Sequence, residues 1–252
     1  MKKIIQALGI ASLATVSSGA FAADMAVKAA PVAVQRCAAD QFKGGYVGIN
    51  GGGVNWIGNR SDLDGAVNSD LTLVQNSWAG TVGAQIGYNG GSCNTIWGIE
   101  IDGNWINGSV NTRLSPNTHI DPIGVESRLD ALVTGRGRAG LVLDNLLLYV
   151  TGGLAAARTN TTWYHTDLPV VRTATFTDWR WGWTAGVGTE WAFGNNLSLK
   201  TEVLYVNLVE RDYQAQFFTP PNTPSRWSHS DSMWVSRIGL NYRFGGPAVA
   251  RY

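Results

Sequence analysis

From residue 42 onward, apolar and polar side chains alternate with a period of two. Successive residues of a strand point to opposite faces, so this period predicts β-strands rather than helices. In 97–105, Trp97, Ile99, Ile101, Gly103 and Trp105 share one face; Gly98, Glu100, Asp102 and Asn104 share the other. In 78–89, Val82, Ala84, Ile86 and Tyr88 oppose Thr81, Gly83, Gln85 and Gly87. In 129–141, Leu129, Ala131, Val133, Ala139 and Leu141 oppose Arg128, Asp130, Thr134, Arg136 and Arg138. Segment 179–193 sets Trp181, Trp183, Ala185, Val187, Trp191 and Phe193 against Arg180, Thr184 and Glu190. Segment 197–205 opposes Leu199, Val203 and Tyr205 to Lys200 and Glu202. Segment 234–244 opposes Trp234, Ile238, Leu240, Tyr242 and Phe244 to Arg237, Asn241 and Arg243. Two glycine-rich segments, 42–53 and 146–157, bring the strands to eight.

The connections alternate in length. Long polar stretches near 55–77, 107–127, 158–177 and 207–231 are separated by short links at 89–94, Asp144-Asn145 and Gly194-Asn195-Asn196. All long loops then fall at one end of an up-and-down meander. That is the layout of outer-membrane barrels, with short periplasmic turns and long outer loops. The fold class read from the chain is therefore all-β: an eight-stranded antiparallel up-and-down transmembrane β-barrel.

A soluble lipocalin-type barrel also alternates, with its apolar face inside. Three features favour apolar-out. Aromatic pairs recur eight residues apart at Trp97/Trp105, Trp183/Trp191 and Trp234/Tyr242. At ~3.3 Å per residue and a tilt near 40°, eight steps climb roughly 20 Å, about the separation of two aromatic girdles. The charged face carries glycines such as Gly83, Gly87, Gly182, Gly186, Gly188 and Gly239, which make room for long side chains in a narrow lumen. The third feature is export. Met1-Lys2-Lys3 precedes an uncharged run from 4 to 22 that ends Ala20-Phe21-Ala22, a small-x-small cleavage pattern. Residues 1–22 read as a signal peptide, 23–41 as an extended periplasmic segment rich in Ala, Val and Pro, 42–244 as the barrel and 245–252 as a tail.

Composition fits. Of 252 residues, 31 are glycine and 11 tryptophan, and only 15% are charged, against about 25% usually. Glycine at this level argues against a helical bundle. Loss of Lys2 and Lys3 with the signal leaves 17 basic and 18 acidic residues, without the basic excess of a nucleic-acid binder.

The expected lumen holds Glu100, Asp102, Asp130, Glu190 and Glu202 with Arg128, Arg136, Arg138, Arg180, Lys200, Arg237 and Arg243. Buried charges must pair. Glu190 should lie near Lys200, and Glu100 and Asp102 near Arg136 and Arg138. The set reads either as a plugging salt-bridge network or as a narrow charged pore. Eight-stranded barrels are usually just filled by side chains, which favours the plug. Cys37 and Cys93 both fall at the periplasmic end of an exported protein and form either a disulfide or two free thiols.

Gly135-Arg136-Gly137-Arg138-Ala139-Gly140 matches a dinucleotide fingerprint literally, but its glycines sit inside an alternating strand. His119, His165 and His229 fall in the outer loops and are isolated, unlike clustered metal ligands. Next to Trp163 and Tyr164, His165 could suit haem, against an ordinary exposed histidine. No catalytic triad or carboxylate pair stands out, so no enzyme, cofactor or metal is expected.

The chain resembles the small outer-membrane immunogenic, porin-family proteins of alphaproteobacteria, with an OmpA-like eight-stranded barrel. The resemblance rests on Gly44-Gly45-Tyr46-Val47-Gly48-Ile49-Asn50, Gly87-Tyr88-Asn89, Thr151-Gly152-Gly153-Leu154-Ala155, and the run from Gly182 to Glu190. It rests further on Leu199-Lys200-Thr201-Glu202-Val203-Leu204-Tyr205 and Arg237-Ile238-Gly239-Leu240-Asn241-Tyr242-Arg243-Phe244. It implies an integral outer-membrane protein of the cell envelope, with surface-exposed loops and a structural or antigenic role. Some relatives are described as haemin binders or channels. The partners it implies are outer-membrane lipid, lipopolysaccharide and the barrel-assembly machinery, which reads the last strand. Such barrels commonly stop at the terminal aromatic. Here Gly245 to Tyr252 follow Phe244, so either Phe244 is read internally or Tyr252 takes its place.

Overall fold

A computed structural model describes residues 37–63, 72–114, 123–165, 174–194, 196–216 and 224–244. The signal segment, most of the following segment and the tail at 245–252 lie outside the described residues, as does His119.

A 3-10 turn, η1 (Ala38–Phe42), precedes eight strands: β1 (Gly44–Asp62), β2 (Thr72–Gly91), β3 (Thr95–Leu114), β4 (Ile123–Leu143), β5 (Leu146–His165), β6 (Ala174–Ala192), β7 (Leu197–Gln216) and β8 (Pro224–Arg243). Each strand pairs antiparallel with its neighbours in the chain, and β8 returns to β1, closing the barrel. The Phe244 amide donates to the Gly45 carbonyl at 2.8 Å and carries this seam one step further. Closure satisfies the backbone without water, which a membrane wall requires.

The short links are tight turns. Asp144 takes φ 54°, which Asp tolerates, and Gly194 takes φ 85°, which favours glycine. The long loops are much shorter than the sequence pattern suggested. Strands of 19 to 21 residues run through most of 55–77, 107–127, 158–177 and 207–231. His165 and His229 accordingly belong to β5 and β8 rather than to loops. A membrane needs only about 9–11 tilted residues per strand. In the remainder no lipid selects an apolar outer face and the buried inner face mixes residues such as Trp56, Leu208 and Asp231, so hydrophobic alternation no longer marks a strand while most of the hydrogen-bond ladder continues.

The apolar face points outward. Trp97 and Trp105 are 64% and 72% exposed, and Trp183, Trp191, Trp234 and Tyr242 are exposed as well. Trp183, Tyr205 and Trp234 form a continuous aromatic arc, with ring centroids 5.6 and 5.0 Å apart. On the same outer wall, the Thr189 and Thr201 hydroxyls share a 2.8 Å hydrogen bond across β6 and β7. Each thereby satisfies a group that hydrocarbon would otherwise leave bare.

One parity shift departs from the alternation. At Asp130, β4 carries a residue more than β5: Leu129 faces Thr159 while Ala131 faces Arg158. A β-bulge of this kind re-aims side chains. Leu129 turns inward and is buried, and Arg128 turns outward to pair with Glu126 at 2.7 Å. Asp130 is half-buried and accepts a hydrogen bond from Asn160. Arg128 and Asp130 are therefore not part of the lumen charge network.

Bulges in β3 and β7 have a larger effect. The β2/β3 ladder ends at Gly80 and Asn107, beside the irregularity at 105/108. The β6/β7 ladder ends at Gly182 and Leu208, beside that at 208/211. Every other seam continues to the strand tips. Beyond these points the two seams lose their backbone ladder, yet side chains still join them: the Ser77 hydroxyl donates to the Ser109 carbonyl at 3.4 Å, and Arg211 pairs with Asp178 at 2.8 Å.

Candidate functional site: the lumen

The inner face is built in layers. At the short-turn end η1 forms a floor. Ala39 and Phe42 are fully buried against Ile96, Val142, Leu147 and Tyr149. Cys37 and Cys93 are joined as a disulfide, and the Ala39 amide donates to the Cys93 carbonyl at 3.0 Å. The Phe42 carbonyl accepts from Asn89 at 2.8 Å, and the Gln41 carbonyl accepts from Arg243. At the rim, Lys43 donates to Asp40 at 2.8 Å; this hydrogen bond holds the carboxyl below its ordinary value against a smaller opposing effect of desolvation. The amino-terminal segment was expected to be extended; its last residues instead turn into the barrel mouth.

Above the floor lies the charge network. Its acids are Glu100, Asp102, Glu190 and Glu202; its bases are Arg136, Arg138, Lys200, Arg237 and Arg243, all buried. Arg136 reaches Glu100, Asp102 at 2.9 Å and Glu202 at 2.9 Å. Arg237 meets Asp102 and Glu202, each at 2.7 Å. Lys200 donates to both oxygens of Glu100 at 2.7 and 2.8 Å. Glu190 accepts from Arg138 and Arg243 at 2.8 Å each and from Ser198 at 2.6 Å. Such buried, multiply paired charges are held by geometry and cannot be exchanged singly.

The expected neighbours come together, with one exchange of partners. Glu100 faces Arg136 in the β3/β4 register, and Glu190 faces Lys200 across β6/β7. Lys200 nevertheless crosses the lumen to Glu100, leaving Glu190 to the two arginines. Arg180 lies in the lumen but outside this network. It pairs with Asp231, which also accepts from the Trp56 indole at 3.1 Å. Asp231 and Trp56 sit in stretches that read as loops, so no alternation flagged them.

Two tyrosines clamp the network. Arg138 lies 5.0 Å from both the Tyr46 and the Tyr149 ring centroids, a double cation–π contact. The Tyr46 hydroxyl donates to Glu100 at 2.7 Å and that of Tyr149 to Glu202 at 3.0 Å. Each tyrosine lies over the glycine opposite it, Gly87 and Gly188, where a Cβ would collide with the phenol. The two halves of the barrel thus repeat one motif four strands apart: Tyr46, Gly87, Glu100 and Arg136, then Tyr149, Gly188, Glu202 and Arg237. The points where the β2/β3 and β6/β7 ladders end obey the same approximate two-fold relation.

A third layer is apolar. Val54, Ile106, Leu132, Leu204, Val206 and Met233 are essentially inaccessible and belong to one cluster with Trp56, Leu129 and Leu208. Sequence reading missed this layer. In β7, Val203-Leu204-Tyr205-Val206 is apolar on both faces, so polarity cannot identify the inner one. Among the described residues no group of three or more His, Cys, Asp and Glu is placed to hold a metal ion.

The model of the outer membrane protein β-barrel domain matches residues 10–244. The 31 kDa outer-membrane immunogenic proteins of Brucella melitensis biotype 1 and Brucella suis biovar 1 are each 31% identical to this chain over 261 residues. The match covers 97% of this chain and all of theirs. Among solved structures, the outer membrane protein OprG of Pseudomonas aeruginosa is similar at 14% identity and a TM-score of 0.46, covering 80% of this chain and 98% of its own. The outer membrane protease OmpT of Escherichia coli is similar at 10% identity and a TM-score of 0.47, covering 79% and 96%. These two likenesses carry no functional argument.

Proposed function

The chain belongs to the outer membrane protein β-barrel domain family, and from that premise we propose that it is a non-enzymatic, non-conducting scaffold of the bacterial outer membrane. Its role is architectural and antigenic: a rigid wall in the bilayer holds protruding strands and loops toward the medium. The relatives are named as immunogenic outer-membrane proteins, which supports the antigenic part.

One observation carries the reading. Floor, charge network and apolar layer are stacked in the lumen, and each is built of buried side chains. An ion crossing it would have to break multiply bonded charge pairs and then pass the apolar layer without hydration, both costly steps. In this reading residues 1–22 are removed on export, β8 with Phe244 addresses the assembly machinery, and lipopolysaccharide surrounds the outer girdle.

Planar-bilayer conductance of the refolded protein tests the proposal, after heat-modifiable gel mobility has verified closure. Silence is the expected result. Steady ion-selective steps that change in Arg136→Ala or Arg138→Ala would replace the scaffold by a small diffusion channel. Spectral titration with haem, with and without His165→Ala, tests loop-mediated ligand capture; no binding is expected.

A further inference from the structure

On the outer wall, one row of the register runs from Trp105 on β3 through Ala131 on β4 and Arg158 on β5 to Trp179 on β6. Trp105 and Trp183 mark the outer aromatic girdle, and Trp179 lies four residues beyond Trp183 on its strand. Four residues at ~3.3 Å each and a ~40° tilt climb roughly 10 Å. Arg158 stands between Trp105 and Trp179 in that row, and therefore just above the girdle, in the head-group layer of the outer leaflet. The outward parity of β5 is unbroken from Val150 through Leu154 to Arg158, and all three are exposed.

Every other described lysine or arginine side chain has a partner; Arg158 has none among the described residues. The acids nearest to it are engaged elsewhere. Asp130, next to Ala131, is half-buried and accepts from Asn160. Asp178, next to Trp179, is paired with Arg211, and Glu126 with Arg128 at 2.7 Å. Arg128 faces Asn160, two residues past Arg158, so the two arginines are diagonal neighbours across β4 and β5, a spacing of roughly 7–8 Å in a ladder. The Arg128 side chain is 60% exposed, and Glu126 takes only its Nε, which leaves both terminal nitrogens without an acceptor among the described residues. Below this pair, toward the bilayer, Trp181, Leu154 and Val133 present an exposed apolar wall.

We propose that Arg128 and Arg158 clamp a phosphate ester of an outer-leaflet glycolipid of the lipid A type, whose acyl chains lie along Val133, Leu154 and Trp181. Two guanidinium groups offer only donors, which selects an anion, and their planar forks match phosphate oxygens bidentately. Charge-assisted hydrogen bonds of this kind are among the strong ones, and basic sites beside a bilayer bind anionic head groups through them. The apolar wall directly below the cations selects a phosphate that carries acyl chains over one free in water. The inference rests on the proposed reading, in which lipopolysaccharide surrounds the outer girdle, and deepens it by fixing one such lipid at β4 and β5.

The test is native mass spectrometry of the refolded full barrel in detergent, with lipid A carrying two phosphates as the probe and its dephosphorylated form as the control. Heat-modifiable mobility first verifies that each barrel is closed. Saturable retention of one lipid A per barrel is expected. Loss of the phosphates should weaken retention by the unsubstituted barrel about tenfold, a readout that does not depend on a variant folding, and Arg158→Gln should do the same. Arg128→Gln should weaken it as well, while Arg211→Gln, on an exposed arginine of another seam, should leave it unchanged. Inorganic phosphate at the same concentration as the lipid should not displace it. No saturable adduct on a closed barrel, equal retention of the dephosphorylated lipid, or full retention in Arg158→Gln would overturn the proposal. So would displacement by equimolar inorganic phosphate, which would assign the arginines to a soluble anion. A closed, non-conducting barrel that retains no lipid A removes the clamp alone; a barrel that conducts removes the scaffold reading and leaves the clamp standing or falling on its own adduct.

Discussion

Replacing Glu100 by Gln removes one negative charge from a network that already holds four acids against five bases. Lys200 suffers most. Its 2.7 Å partner becomes neutral, its next carboxylate, on Glu202, stands 3.7 Å away, and it is 1% exposed. Arg136 loses one of three partners and keeps Asp102 and Glu202 at 2.9 Å. Removing one member of a buried pair costs about 3–5 kcal/mol, because the other charge is left without compensation. Glu100→Gln should therefore destabilise the barrel by about that amount. Lys200→Met in the same chain should return most of the loss, since it removes the stranded cation. The assay is denaturant unfolding of barrels refolded into lipid vesicles, followed by tryptophan fluorescence and heat-modifiable mobility. A Glu100→Gln barrel within about 1 kcal/mol of the parent, or a double variant whose loss is the sum of the singles, would refute the reasoning.

Gly188→Ala places a methyl group against the Tyr149 phenol and 2.8 Å from the Thr201 carbonyl oxygen and should lower the folded yield, while adding Tyr149→Ala relieves only the first contact and should recover only part of it; refolding yields on gels decide this. A non-reducing peptide map should recover Cys37 and Cys93 in one linked fragment, and Cys93→Ser should make the segment before β1 more sensitive to protease without opening the barrel. Arg128→Cys should react with a water-soluble maleimide and Ser127→Cys should not, because the bulge turns the first outward and the second inward. Asp178→Asn breaks an exposed pair and should cost no more than about 1 kcal/mol in the same unfolding assay.

The membrane-embedded part of the fold is legible in the sequence because each face there has one solvent. Lipid selects Trp97, Ile99, Ile101 and Trp105, and the lumen selects Glu100 and Asp102 between them. Legibility fails where that contrast ends. The loss of the lipid contrast on the outer face hid the outer half of every strand and with it the buried Trp56 and Asp231. Apolar packing on both sides hid Leu204 and Val206. The bulge at Asp130 left no mark in composition, yet it reverses the faces of Arg128 and Leu129. Arg128 and Asp130 leave the network at the bulge, and Arg180 pairs outside it with Asp231; the network's other members were readable. Its pairing was not, because lysine and arginine reach across the lumen rather than along the register.

The approximate two-fold repeat has a consequence for how this protein enters the membrane. Four of the network's eight ion pairs closer than 3 Å join one half to the other: Arg136 to Glu202, Arg138 to Glu190, Lys200 to Glu100, and Arg237 to Asp102. Each quartet of strands pairs part of its charge internally, but Arg138 and Lys200 find their closest carboxylates only on the other quartet. A half-inserted chain would carry the Arg138 guanidinium or the Lys200 ammonium into hydrocarbon without its closest carboxylate, a costly state. Sealing the barrel and completing the pairing of its lumen are thereby linked, and the cross-lumen ion pairs favour the closed form over a half-assembled one.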